Sequence, residues 1–170
     1  TPKGFANGGC IFLPRGRYVI DKKITMQRGL RLCGESRESS QLISFISNDS
    51  VLQYTDQGRY LQDEIAVRDL SIWQDPSVVA TSGAAIDVIE GPILVISLYI
   101  NIDNVIIEGT YIGIRHMAGA GGGIRNSNIT KCASHGVHIT GTISTTSMLF
   151  ENTYSHQNGG YCYVVERGAY

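Results

Sequence analysis

Apolar residues along this chain alternate with polar ones in short runs. A period of two is typical of β-strands that bury every second side chain, and β-branched residues fill many of the apolar positions. The runs end at Gly, Asn or Ser, which favour tight turns. The pattern therefore predicts many short strands, with a single short helical interruption near Asp56 to Glu64.

Four segments repeat one order of side chains: an apolar residue, a polar residue, then Asp or Asn. They are VRDLSI, IDNVII, IRNSNI and LFENTY. Aligning them predicts one column formed by Asp69, Asn104, Asn126 and Asn152. The later intervals, about 22 and 26 residues, match one coil of a stacked β-solenoid. The first, about 35 residues, needs a loop, and the segment EGPILVISLYI from Glu90 is the candidate.

A second column follows the first in each repeat and predicts that four residues superpose: Ile86, Ile114, Val137 and Tyr161. No single coil can bury its inward row alone, but stacked coils bury one another's rows. Two columns at one period therefore predict a parallel β-helix, an all-β solenoid. The stacked asparagines are expected to form a ladder of side-chain amide hydrogen bonds at a shared corner.

Size and charge narrow the class of protein. The chain has 170 residues, of which 42% are hydrophobic, so residues 1–170 are predicted to form one β-helix domain. The net charge of -1 argues against nucleic acid as a partner. No apolar run approaches the roughly 18 residues of a membrane span, so no membrane insertion is predicted. The four cysteines are expected to be buried small hydrophobes, and sequence assigns no disulfide.

The stretch from Gly8 to Ser36, GGCIFLPRGRYVIDKKITMQRGLRLCGES, resembles the opening coil of the pectate-lyase-like superfamily. The resemblance implies a right-handed single-stranded parallel β-helix, most similar to phage tailspikes, polysaccharide depolymerases and secreted lyases or hydrolases. It further implies an extracellular or virion-associated protein, a polysaccharide substrate or ligand, and a homotrimer. The chain lacks the family's usual terminal segments, so we expect a fragment of a longer β-helix or a very short, oligomeric member.

The second column also predicts a candidate site. Asp87, Arg115 and His138 each follow an inward apolar residue, so they are expected to stack on one outward face, with Cys162 next. A carboxylate, a guanidinium and an imidazole in a row suit the binding of an acidic sugar or acid–base work on a glycosidic bond. Glu90 is the second candidate carboxylate beside Asp87. The alternative for the three stacked residues is a solvated surface row without function, and the alternative for Glu90, which precedes Gly-Pro, is a turn residue.

Other charged residues are assigned structural roles. Four first-column residues alternate in sign and predict a salt-bridge ladder: Arg68, Asp103, Arg125 and Glu151. His116, His135 and His156 are expected at the surface. The Asp cluster with which lyases of this superfamily hold calcium is not visible, so neither a metal nor a cofactor is predicted.

Two functions remain open at this stage. The first is a polysaccharide-degrading β-helix, either a glycoside hydrolase or a lyase. The second is a non-catalytic structural or adhesive segment of a virion or cell-surface protein. Sequence alone does not decide between them.

Overall fold

The computed structural model describes residues 9–26, 29–55, 63–89, 98–117, 121–140 and 148–166. The secondary structure of these residues consists of sixteen strands: β1 Cys10–Leu13, β2 Gly16–Ile20, β3 Ile24–Met26, β4 Arg31–Gly34, β5 Ser40–Ser44, β6 Leu52–Thr55, β7 Asp63–Gln74, β8 Ala84–Ile89, β9 Leu98–Glu108, β10 Ile112–His116, β11 Gly121–Arg125, β12 Asn128–Thr130, β13 Val137–Ile139, β14 Met148–Glu151, β15 Tyr154–His156 and β16 Tyr163–Val165.

The strands wind into six coils with three faces. Sheet 1 contains β1, β4, the first halves of β7 and β9, β11 and β14, and sheet 2 contains β2, β5, the second halves of β7 and β9, β12 and β15. Sheet 3 is six-stranded and contains β3, β6, β8, β10, β13 and β16. Every described strand pair is parallel, for example β8 with β10 and β10 with β13. Because crossovers between parallel strands are right-handed, the predicted right-handed parallel β-helix is confirmed.

The corner between sheets 1 and 2 is built by the first repeat column. Its four members all have left-handed backbones, with φ of 57° at Asp69, 55° at Asn104, 51° at Asn126 and 46° at Asn152. Asn and Asp tolerate this region better than other side-chain-bearing residues, which explains why the column is restricted to them. The shared corner predicted from the repeats is thus confirmed.

The amide ladder differs from the prediction at one step. Asn152 Nδ2 donates to Asn126 Oδ1 at 3.0 Å, as expected. Asn126 Nδ2 instead donates to Asp103 Oδ1 at 2.9 Å, and Asn104 Nδ2 donates to Asp69 Oδ1 at 2.7 Å. A carboxylate is a stronger acceptor than an amide oxygen, so Asp103, which precedes the column residue Asn104, replaces it as the partner of Asn126 and interrupts the asparagine ladder.

The second column forms a buried file on sheet 3, with one correction. Ile114 pairs with Ile86 on one side and with Val137 on the other, and all three are almost completely buried. The residue that pairs with Val137 in the last coil is Tyr163, so the prediction that Tyr161 belongs to this file is wrong. The turn before β16 has six residues, 157–162, like the turn before β13 at 131–136, so the repeat spacing itself leads to Tyr163. Burying each such aliphatic side chain contributes about 1.5 to 3 kcal/mol.

The interior also contains a histidine that the sequence placed at the surface. His116 is fully buried, in register between Val88 and Ile139 on the inward side of sheet 3. Neither ring nitrogen has a hydrogen-bond partner among the described residues. Burial lowers the pKa of His116 to about 4, so the ring is neutral at physiological pH. The surface prediction holds for His156, which is exposed.

The cysteine prediction is correct only for Cys132, which is buried. Cys10 is exposed, and Cys33 and Cys162 are half-buried. The thiols of Cys10 and Cys33 lie 3.1 Å apart on the outer surface of sheet 1, in neighbouring coils.

Two predicted interruptions fall largely outside the described residues. Of the segment expected to be helical, 56–62 is outside them, and Asp63 and Glu64 belong to strand β7. Of the predicted loop, 90–97 is outside them, and strand β9 begins at Leu98. Among the residues that the structure describes, no helix is long and apolar enough to cross a membrane.

Candidate functional site

Asp87, Arg115 and His138 occupy equivalent positions on three neighbouring strands of sheet 3. Arg115 on β10 pairs with Asp87 on β8 and with His138 on β13. Each follows a residue of the buried file, so the three side chains stack on the outward face. The register predicted from the sequence is therefore observed. Glu90, the fourth predicted site residue, lies outside the described residues.

Asp87 is completely buried although it belongs to the outward row. Its carboxylate accepts hydrogen bonds from Arg115 Nε at 2.8 Å and Arg115 Nη2 at 2.6 Å. Ser50 Oγ donates to Oδ2 at 2.6 Å, and Gln53 Nε2 donates to the same oxygen at 3.4 Å. Both carboxylate oxygens are therefore occupied. As it stands, Asp87 orients Arg115 and is not accessible to a substrate.

Arg115 covers Asp87 and leaves 27% of its own side chain exposed. The hydrogen bonds that Arg115 donates to Asp87 raise the pKa of the guanidinium above its usual value, and the nearby Asp49 carboxylate acts in the same direction. Nε and Nη2 are held by Asp87, whereas Nη1 has no hydrogen-bond partner among the described residues. The row thus presents a permanently charged, rigidly held cation at its centre.

His138 lies in the next coil and contacts a carboxylate. Its Nε2 is 3.1 Å from Oε2 of Glu166, which directly follows strand β16. The imidazole is only 15% exposed, whereas the Glu166 side chain is 53% exposed. The hydrogen bond and charge of His138 lower the pKa of Glu166 below its usual value. Glu166 is therefore an ionised, accessible carboxylate beside a shielded imidazole.

The rings of His135 and Tyr161 lie next to His138, at the end of the row away from Asp87. His135 meets His138 edge to face, with ring centroids 5.4 Å apart, and stacks on Tyr161 at 5.9 Å. The Tyr161 backbone N–H donates to His135 Nδ1 at 3.1 Å, which leaves Nε2 as the protonated nitrogen of the neutral ring. Tyr161 is 71% exposed and offers an open aromatic ring next to the charged groups.

Sequence reasoning missed Glu166 and misplaced the end of the row. The residue in register with His138 is Val164, so the prediction that Cys162 continues the row is wrong. The same two-residue offset that displaced Tyr161 caused this error. Aligning the last coil on the apolar alternation of YVV would have placed Glu166 two residues beyond Val164, within reach of His138.

The first-column charges form less of a ladder than predicted. The predicted register is observed, since Asp103 pairs with both Arg68 and Arg125, and Arg125 pairs with Glu151. In the part of the chain that the structure describes, the only side-chain ion pair of this column joins Arg125 Nε to Glu151 Oε2, at 3.3 Å. Asp103 accepts the Asn126 amide at the corner instead.

We find no metal-binding arrangement within the described ranges. No three His, Cys, Asp or Glu side chains there are grouped closely enough to hold a metal ion. Without a metal ion, the row and its neighbours supply three chemical groups. These are a cation that can bind an acidic group, an imidazole–carboxylate pair that can transfer a proton, and an aromatic ring that can stack on a sugar.

Comparison with known proteins identifies the fold. No family model matches the sequence, and no curated protein matches it either. Among solved structures, the chain is similar to the A-module of the mannuronan C-5 epimerase AlgE4 from Azotobacter vinelandii, with a TM-score of 0.69 and 15% identity. The match covers 93% of this chain and 45% of that chain. The parallel β-helix expected from the resemblance of residues 8–36 is thus confirmed as a fold.

Proposed function

We propose that this chain forms part of a polysaccharide-modifying β-helix whose acidic substrate lies across the outward face of sheet 3. The observation that carries the proposal is that Arg115 and His138 stack on neighbouring strands, with the Glu166 carboxylate against His138 and the exposed ring of Tyr161 nearby. The fold is shared with an enzyme named for acting on mannuronan, a polymer of uronate sugars. That likeness supports a uronate-containing glycan as the substrate class.

Each group of the row has a role in such a reaction. Arg115 would bind the uronate carboxylate and stabilise the negative charge that develops when the proton on the adjacent carbon is removed. Glu166 and His138 together would accept and return that proton. Cleavage of the bond to the 4-linked sugar, whose oxygen takes up the proton, would then give the unsaturated product of a lyase, and delivery of a proton from water to the opposite face would give an epimer. Asp87 would act as a positioning residue for Arg115.

The proposal favours a lyase-type reaction over glycoside hydrolysis. Hydrolysis usually requires two carboxyl groups that face one bond. Asp87, the first carboxylate of the predicted pair, is buried and fully hydrogen-bonded. Proton abstraction next to a carboxylate needs one base and one cation, which is the set that the described row contains.

Exchange with heavy water tests the proposal directly. The protein is incubated in deuterium oxide with polymannuronate, polygalacturonate or a neutral xylan, and sugar deuteration and unsaturated uronates are measured. We expect deuterium in the sugar or unsaturated uronates from a uronate polymer, and neither from xylan. His138→Ala should lower the rate about 100-fold or more, because general acid–base groups contribute at least that much. Folding of the variant is checked by circular dichroism.

A matched control is available on sheet 1. Glu151 is an exposed carboxylate paired with a basic residue on the neighbouring strand, as Glu166 is. Glu166→Gln is expected to slow the exchange, and Glu151→Gln to leave it unchanged. Equal effects of the two variants, or wild-type exchange in a folded His138→Ala, would rule out the assigned roles.

A non-catalytic glycan-binding β-helix is the second candidate. It is favoured by the shielding of both ring nitrogens of His138 from solvent, since a base must reach its proton. Binding of a uronate polymer without deuterium exchange or unsaturated product would support this function. The extracellular or virion-associated location and the homotrimer stay predictions, and sedimentation of the purified protein tests the latter.

A further inference from the structure

A polar groove lies at the corner between sheets 1 and 2, on a different face from the row of sheet 3. Its volume is about 340 Å³. The residues that argue for a ligand come from the turn before β5 and from the last two coils: Arg37, Asn126, Asn128, Asn152, Tyr154 and His156.

The floor of the groove consists of the corner asparagines. Asn152 Nδ2 donates to Asn126 Oδ1 at 3.0 Å, and Asn126 Nδ2 donates to Asp103 Oδ1 at 2.9 Å. The left-handed backbone conformation of Asn126 and Asn152 fixes the direction in which each side chain leaves the main chain. The amides are therefore held in place before any ligand arrives, which lowers the entropic cost of binding one.

Arg37 forms one wall and reaches the floor from a distant coil. Its Nη1 donates to the backbone oxygen of Asn126 at 3.1 Å, although 89 residues separate the two in sequence. Its Nε donates to Glu38 Oε1 at 2.9 Å, so a neighbouring carboxylate partly neutralises its charge. A guanidinium in this state suits the hydroxyl groups of a ligand better than a phosphate or sulfate.

The opposite wall presents an aromatic ring. Tyr154 on β15 is paired in register with Asn128 on β12, and its side chain is 66% exposed. His156 Nε2 lies 3.1 Å from Asn128 Oδ1, which orients the amide of Asn128. That contact leaves the Asn128 Nδ2 donors without a partner among the described residues. An open ring beside orientated amides suits a ligand with one apolar face and polar edges.

We propose that this corner groove binds a sugar residue of a glycan, with the ring of Tyr154 against the sugar face and the amides of Asn128 and Asn152 on its hydroxyls. The choice of a glycan rests on the proposed function, but binding here does not require catalysis on sheet 3. The site would hold a polymer at a second point of the same solenoid.

Calorimetric titration with defined oligosaccharides tests the groove. The probes are hexasaccharides of mannuronate, galacturonate and xylose. Tyr154→Ala is expected to weaken binding of at least one of them about tenfold. Tyr154→Phe keeps the ring and should bind within about twofold of wild type. Tyr99, another exposed tyrosine on strand β9, provides the control, and Tyr99→Ala should bind like wild type.

The outcomes separate this site from the row on sheet 3. If Tyr154→Ala binds every probe as tightly as wild type, or if wild type binds none, the groove proposal is wrong. Loss of deuterium exchange in His138→Ala with unchanged binding would support two separate sites. A wild-type protein that neither exchanges deuterium nor releases unsaturated uronates, but loses affinity in Tyr154→Ala, would refute the proposed catalysis and support the groove.

Discussion

Arg115 holds Asp87 with two parallel hydrogen bonds, 2.8 Å from Nε to Oδ1 and 2.6 Å from Nη2 to Oδ2, across adjacent coils. The carboxylate has no exposed surface, whereas the guanidinium is partly open to solvent. A buried charge is tolerated only while its partner and hydrogen bonds are in place. This pair therefore fixes the register of β8 against β10 and sets the position of the cation in the candidate site.

We expect Arg115→Met to be strongly destabilising. It would leave the Asp87 carboxylate buried without a counter-charge, which costs about 3 kcal/mol, the lower end for buried pairs because Arg115 is partly exposed. Arg115→Met combined with Asp87→Leu should cost less than Arg115→Met alone, because both charges are then gone. Urea unfolding measures the three free energies.

The exposed ion pair of Arg125 and Glu151 is the control for this prediction. Arg125→Met should change the free energy of unfolding by less than about 1 kcal/mol. If Arg115→Met is equally mild, or if the double variant is the least stable, the pair does not have the structural role assigned to it.

Asn104 should be sensitive to replacement by alanine and less so to glycine. Its φ is 55°, and its Nδ2 donates to Asp69 Oδ1 at 2.7 Å. Alanine loses that hydrogen bond and is strained in the left-handed region, so we expect a loss of about 2 kcal/mol. Glycine loses only the hydrogen bond, at about 1 kcal/mol. Chemical denaturation compares the two, and equal losses would exclude backbone strain as a factor.

The repeat columns made the solenoid predictable because stacking imposes the same constraint on every coil. Asp or Asn recurs at the left-handed position of the corner between sheets 1 and 2, and apolar residues recur where the strands face inward. In the last coil, aligning Tyr161 with Val137 is two residues out of register, because the turn before β16 has six residues, 157–162, as the turn before β13 has at 131–136. The apolar and Gly residues near Tyr161 resemble those before Val137, and this local similarity outweighs the constant spacing from the corner asparagine.

The sequence predicted which residues of the candidate site stack on one another, but it did not predict how buried each of them is. Sequence placed Asp87, Arg115 and His138 together because they share a register. It could not show that Asp87 is buried, since Ser50 and Gln53 approach it from the coil before. The surface prediction for His116 rested on its position at a strand end, whereas the inward alternation of β10 continues through it.

The cysteines should differ in their reactivity toward iodoacetamide. Cys10 is exposed, whereas burial and the adjacent Cys10 thiol raise the pKa of Cys33 to about 11. At pH 8 with a reductant present, Cys33 has roughly 100-fold less thiolate than an unperturbed thiol. Tryptic peptides of residues 4–15 and 32–37 report the two sites separately by mass spectrometry. Alkylation of Cys33 as fast as that of Cys10 would contradict the burial of Cys33.

Acid should destabilise this protein through His116. Its pKa is about 4 in the folded state, because burial disfavours the charged ring, against roughly 6.5 in the unfolded chain. The unfolded state then binds more protons between these values, so the free energy of unfolding falls as the pH drops from about 6.5 to 4. The loss attributable to this residue is on the order of 3 kcal/mol.

His116→Leu isolates that contribution. Leucine fills similar space between Val88 and Ile139 and does not titrate, so the variant should lose less stability than wild type over the same pH range. At pH 7 it should be at least as stable as wild type, because the imidazole nitrogens have no hydrogen-bond partners among the described residues. Urea unfolding at several pH values provides both curves. Parallel curves for the two proteins would show that His116 is not the buried, neutral histidine that the fold requires.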